Sequence, residues 1–115
     1  MISGKHLIVD VYLNKTEDSF LLNSIETIRP LMMRIIEVAN LNVVGEIKHQ
    51  FNPIGATLLF LLSESHLSIH TYPEKNYCAI DLYCCNPDIN FNLILETIYN
   101  FFNNDCIITK KIIDR

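Results

Sequence analysis

Apolar and polar positions alternate through residues 5 to 13, with Leu7, Val9, Val11 and Leu13 on one face and His6, Ile8, Asp10 and Tyr12 on the other. A period of two predicts a strand. After the polar break at residues 14 to 18, apolar residues recur at Leu21, Ile25, Ile28, Met32, Ile35 and Ala39, the spacing of an amphipathic helix that Thr16 or Asp18 would cap. Pro30 falls inside this pattern, so the helix is expected to be kinked or broken there. Residues 41 to 51 and 56 to 63 read as strands joined by a turn at Asn52, Pro53, Ile54 and Gly55, and residues 66 to 72 and 77 to 85 as strands joined across residues 73 to 76. Pro87 and Asp88 stop the sheet. Phe91, Ile94, Leu95, Ile98, Phe101 and Phe102 have helical spacing, and Cys106 to Thr109 with Ile112 and Ile113 read as a last strand.

The order β-α-β-β-β-β-α-β, with short links between consecutive strands, predicts an α+β two-layer sandwich of one antiparallel sheet with two helices on one face. Such an arrangement leaves the other face open, and Ile8, Leu59 and Leu61 make that face partly apolar. A chain of 115 residues forms a single domain, 1 to 115. A domain this small buries only about two thirds of its unfolded surface. Packing of the open faces in a dimer is therefore expected.

Composition narrows the function. A formal net charge of -4 and the lack of a basic cluster argue against nucleic-acid binding. No apolar run is long enough to span a bilayer, and Met1 to Lys5 lead straight into a strand pattern rather than a signal peptide, so a cytoplasmic protein with no membrane partner is expected. Cys78, Cys84, Cys85 and Cys106 show no Cys-x-x-Cys pair, and neighbouring Cys84 and Cys85 point to opposite faces of a strand. Reduced thiols are the expected state.

Chemistry concentrates on two strands. Residues 66 to 72 place His66, Ser68, His70 and Tyr72 on the face opposite Leu67, Ile69 and Thr71; residues 77 to 85 place Ala79, Asp81, Tyr83 and Cys85 opposite Cys78, Ile80, Leu82 and Cys84. The two polar sets are positioned to share a cleft. Taken singly, these are ordinary histidines and cysteines satisfied by their neighbours. A metal site from His49, His66, His70 and Cys85 has only generic spacing, and no metal is expected. Cys85 with His70 has the composition of a nucleophile pair but no local signature.

The continuous segment Ser63-Glu64-Ser65-His66-Leu67-Ser68-Ile69-His70-Thr71-Tyr72-Pro73-Glu74, followed by Asp81 and Cys85, resembles the self-cleavage region of the prokaryotic type of S-adenosylmethionine decarboxylase. The resemblance extends through Gly4-Lys5-His6-Leu7-Ile8-Val9-Asp10 and His49-Gln50-Phe51-Asn52-Pro53-Ile54-Gly55, and so covers residues 4 to 85 in order and spacing. Beyond Cys85 only the helix-then-strand pattern matches.

What the resemblance implies is specific. Ser65 attacks the carbonyl of Glu64, and the chain is cut into a β chain, residues 1 to 64, and an α chain, residues 65 to 115, whose first residue becomes a pyruvoyl cofactor. His70 is the processing base, assisted by Thr57, which stands where the family commonly has serine. The pyruvoyl ketone forms a Schiff base with the substrate amine and takes up electrons as carbon dioxide leaves. Cys85 returns the proton. Phe51 and Tyr72, the latter where tryptophan is frequent, flank the adenine, with Glu74 near the ligand. The implied activity is a homodimeric decarboxylase making decarboxylated S-adenosylmethionine for spermidine synthesis. The same machinery acting on ornithine or arginine is one alternative. A non-processing regulatory homologue is another, against which the joint presence of Ser65, His70 and Cys85 weighs.

Overall fold

A computed structural model describes residues 4 to 115; Met1, Ile2 and Ser3, part of the expected lead into the first strand, lie outside the described residues. Six strands and two α-helices follow in the predicted order: β1 (Lys5–Leu13), α1 (Ile25–Val38), β2 (Val43–Gln50), β3 (Ala56–Leu62), β4 (His66–Tyr72), β5 (Tyr77–Cys84), α2 (Phe91–Phe101) and β6 (Cys106–Asp114). They form one sheet in the order β2-β3-β4-β5-β1-β6, every neighbouring pair antiparallel. Among the described residues no helix is long and apolar enough to cross a membrane.

Period-two alternation determines which face is covered. Leu7, Val9, Val11 and Leu13 of β1 are buried, as are Leu58 and Phe60 of β3, Leu67 and Ile69 of β4, and Ile80 and Leu82 of β5. Ile28, Leu31, Met32 and Ile35 of α1 and Ile94 and Ile98 of α2 join them in one core. The opposite face is open, and Ile47, Leu59 and Leu61 on it are 69%, 40% and 59% exposed.

One expectation is corrected and one narrowed. The first helix starts at Ile25, not near Thr16 or Asp18: Ser24 Oγ accepts the Thr27 N–H and Thr27 Oγ1 accepts the Ser24 N–H, both at 3.2 Å, a capping box that satisfies two otherwise unpaired donors. Residues Thr16–Leu22, including Leu21, form a separate 3-10 segment. Pro30 does not break α1, which runs through it from Ile25 to Val38. The one backbone bond that proline removes is to Glu26, in the first turn, and the buried Ile28, Leu31 and Met32 hold the helix to the sheet on both sides.

Candidate active site

β3 and β4 are joined by a tight hairpin whose loop is Ser63 and Glu64. Leu62 N–H donates to the Ser65 carbonyl at 2.9 Å and Ser65 N–H to the Leu62 carbonyl at 3.5 Å, so the Glu64–Ser65 peptide bond sits where the loop re-enters the sheet. Glu64 is exposed and Ser65 half-buried. Cys85 follows the end of β5 at the same edge of the molecule, and it lines a cleft of about 280 Å³ with Glu64 and Ser65. Its Sγ is 3.8 Å from the Tyr83 hydroxyl. Cys84 points the other way and is buried.

The four thiols differ because their surroundings differ. Burial pushes the Cys78, Cys84 and Cys106 thiols upward, Cys106 to about 11, and so keeps them protonated. Cys85 is the half-exposed one.

A second group of residues lies elsewhere on the sheet. Thr57 on β3 stands opposite His70 on β4, and Thr57 Oγ1 is 3.0 Å from His70 Nδ1. This bond orients the ring and leaves Nε2 as the nitrogen available for proton transfer. Phe51, just past β2, packs edge-on to His49 at 4.6 Å between centroids, and His49 stands opposite Thr57. Tyr72, at the end of β4, stacks on Tyr77 at 5.5 Å, and Glu74 is exposed in the turn that follows. Gly55 ends the turn between Phe51 and Ala56 with a φ of 111°, a conformation strained for any residue with a side chain.

Within one copy of the chain, then, the fold brings Glu64, Ser65 and Cys85 together, and separately Thr57 and His70, with Phe51 reached through His49; Tyr72 lies in another cleft with Tyr12, Lys75 and Tyr77, and Glu74 is exposed beyond it. The fold does not bring His70 to Ser65. Four residues of β4 lie between them, and five residue steps at the rise of an extended strand span roughly 16 Å.

His6, which local pattern marks only as a strand residue, joins a third group. Its Nε2 is 2.7 Å from Asp81 Oδ2, which is also 3.0 Å from His66 Nε2, while the Ser68 hydroxyl donates to Oδ1. Burial alone would raise the Asp81 pKa, but the hydrogen bonds from Ser68, His6 and His66 outweigh it and hold the carboxyl below its ordinary range. His6, His66 and Asp81 are the group of metal-ligating type that converges among the described residues, with ligand atoms within 4.8 Å of one another. Their polar atoms already satisfy each other. His49, His66, His70 and Cys85, the generic metal set, do not form such a group.

Comparison with known proteins gives a consistent answer. The family model described as S-adenosylmethionine decarboxylase matches residues 5 to 115. A protein of Bacillus cereus named S-adenosylmethionine decarboxylase proenzyme 2 is 36% identical over 110 residues, covering 96% of this chain and 87% of that protein. An S-adenosylmethionine decarboxylase proenzyme of Archaeoglobus fulgidus is 39% identical over 100 residues, 84% of this chain and 87% of its own length. The crystal structure of the adenosylmethionine decarboxylase from Aquifex aeolicus superposes with a TM-score of 0.84 at 30% identity, covering 99% of this chain and 91% of that one.

Proposed function

The chain belongs to the S-adenosylmethionine decarboxylase family, and from that premise we propose that it is a proenzyme that cuts its own Glu64–Ser65 bond, carries a pyruvoyl group made from Ser65, and decarboxylates S-adenosylmethionine in the cytoplasm. The observation that supports this best is the placement of Ser65 at the end of a tight hairpin, after an exposed glutamate and in one cleft with Cys85.

Cleavage needs a nucleophile, a base and water. Ser65 Oγ attacks the Glu64 carbonyl, replacing the peptide bond by an ester. A base then takes the Ser65 α-proton, the Cβ–Oγ bond breaks, and residues 1 to 64 leave with the Glu64 carboxylate. Water adds to the remaining unsaturated terminus and ammonia departs, leaving the keto group.

The residues present fit such a group. The serine that makes it is half-buried and borders an open cleft, and the half-exposed Cys85 shares that cleft. A pyruvoyl group supplies a carbonyl that binds the substrate amine and accepts the electrons released with carbon dioxide. Cys85 supplies the proton that the product carbon then takes. Phe51 and Tyr72, 47% and 39% exposed, are the rings assigned to the adenine, with Glu74 two residues beyond Tyr72; in one copy Tyr72 stacks on Tyr77 and has the Lys75 ammonium 5.9 Å from its ring centroid.

His70, with Thr57, acts as the base from a second copy. The two groups of site residues are too far apart to work together in one copy, and the open face that carries Thr57 and His70 also exposes Ile47, Leu59 and Leu61. A two-fold dimer that pairs these faces joins each Ser65 and Cys85 with the other copy's His70.

Release of labelled carbon dioxide from carboxyl-labelled S-adenosylmethionine, ornithine and arginine tests the substrate. Release from S-adenosylmethionine alone is expected. Faster release from ornithine or arginine would overturn the substrate assignment while leaving the cofactor intact.

A further inference from the structure

The residue after Ser65 is held by a cluster to which the reaction above gives no part. His66 begins β4, and its imidazole reaches Asp81 on β5, which also holds His6 of β1 and Ser68. Sheet register explains the convergence: Asp81 stands opposite Ser68 on one side and Ile8 on the other, so His66 and His6 are each two residues along on the same face, within diagonal reach. The two rings meet edge to face at 5.9 Å.

The cut at Ser65 makes this cluster matter. In the intact chain, residue 65 is held by its bond to Glu64 and by two hydrogen bonds with Leu62, one of which Ser65 N–H donates. Conversion to a keto group removes that nitrogen, so the chain link and the donated bond disappear together. What remains is the Leu62 N–H bond to the residue 65 carbonyl, and His66, whose backbone stands between Leu61 and Tyr83 in the sheet and whose ring is fixed by Asp81. His66 and Asp81 lie in the α chain and His6 in the β chain, so this carboxylate adds a side-chain tie between two fragments that the β1–β5, β1–β6 and β3–β4 pairs already hold together.

We propose that Asp81 is a positioning residue that acts through His66 to hold the new α-chain terminus beside Cys85 after the cut, with His6 tying the β chain to the same carboxylate. The inference rests on the cut at Ser65 proposed above.

Deuterium exchange of the backbone amides in residues 62 to 68, measured on purified cleaved enzyme, tests it. Asp81→Asn keeps the side chain's shape but removes the charge, and His66→Ala removes the same tie while leaving Asp81 bonded to His6 and Ser68. In cleaved protein each variant is expected to exchange about tenfold faster or more, the effect of losing a hydrogen bond to a charged group. In a Ser65→Ala background, where the backbone is uncut, the same substitutions are expected to change exchange much less. The fraction of turnovers that leave an alanyl terminus should also rise in the cleaved variants. Equal acceleration in cut and uncut backgrounds, or unchanged exchange in cleaved protein, overturns the proposal. Failure of both variants to be cut also overturns it, since the cluster would then serve cleavage itself. A chain with native Asp81 and His66 that is never cut defeats the underlying reading instead, and the masses of the same samples show which has failed.

Discussion

His70 Nδ1 lies 3.0 Å from Thr57 Oγ1 across the β3–β4 pair, while Ser65, the residue that His70 is proposed to serve, stands at the other end of β4. The proposed reaction therefore joins two groups that a single copy holds near opposite ends of β4.

Two defective copies should repair each other. Ser65→Ala and His70→Ala are each expected to remain uncut when made alone. Produced together in equal amounts, they form mixed dimers in which an intact Ser65 faces an intact His70, and random pairing would let up to about half of the His70→Ala chains be cut. Mass spectrometry of the mixture measures this. A mixture with no cut chain would contradict a site shared between copies.

The open face should be the dimer contact. Leu61 is 59% exposed in one copy, so Leu61→Asp is expected to cost a single copy little, about 0.5 kcal/mol or less. In a dimer it buries a charge. Sedimentation should find a monomer, and Ser65 should stay uncut. A dimer that processes normally would argue against this face.

Cys85 should separate maturation from turnover. Half-exposed in the cleft, it contributes little to packing, so Cys85→Ala should fold. Loss of the proton donor should lower kcat by about a hundredfold or more. Protonation at the wrong atom should leave α chains that begin with alanine. Wild-type turnover with the keto terminus intact would exclude the role.

Asp81 predicts a dependence on acid. Its carboxyl is held below the ordinary aspartate range, with hydrogen bonds from Ser68, His6 and His66 outweighing the opposing effect of burial. A depressed folded-state value stabilises the protein above the unfolded value, about 4, and that stability is lost as pH falls toward the folded value. The stability gap between wild type and Asp81→Asn, read from denaturant unfolding, should therefore narrow as pH drops below about 4. A gap independent of pH would mean that the charge does not matter.

The alternation of β1, β4 and β5 was legible in the sequence because one residue in two had to face a core, and Leu7, Val9, Leu67, Ile69, Ile80 and Leu82 do. The strands at 56 to 63 and 66 to 72 are legible with only two residues between them, but the turn itself falls one residue earlier, at Ser63 and Glu64, because β3 ends at Leu62. The start of α1 was missed because Leu21 continues the helical spacing into a 3-10 segment, while the deciding signal was the local pair Ser24 and Thr27. Of the two outcomes expected at Pro30, breakage does not occur, since packing on both sides outweighs one lost hydrogen bond. His6 could not be placed, because its contact with Asp81 depends on β1 inserting between β5 and β6, and strand order is not carried by local pattern. The distance between Ser65 and His70 could have been read from strand geometry alone.

The central claim is that this chain makes its own cofactor at Ser65, and the intact mass of the purified protein tests it most directly. Two fragments are predicted, residues 1 to 64 and residues 65 to 115, the second beginning with a pyruvoyl group, and Ser65→Ala should give one uncut, inactive chain. A wild-type protein that decarboxylates S-adenosylmethionine as a single uncut chain, or a Ser65→Ala protein still cut at the same bond, would contradict it.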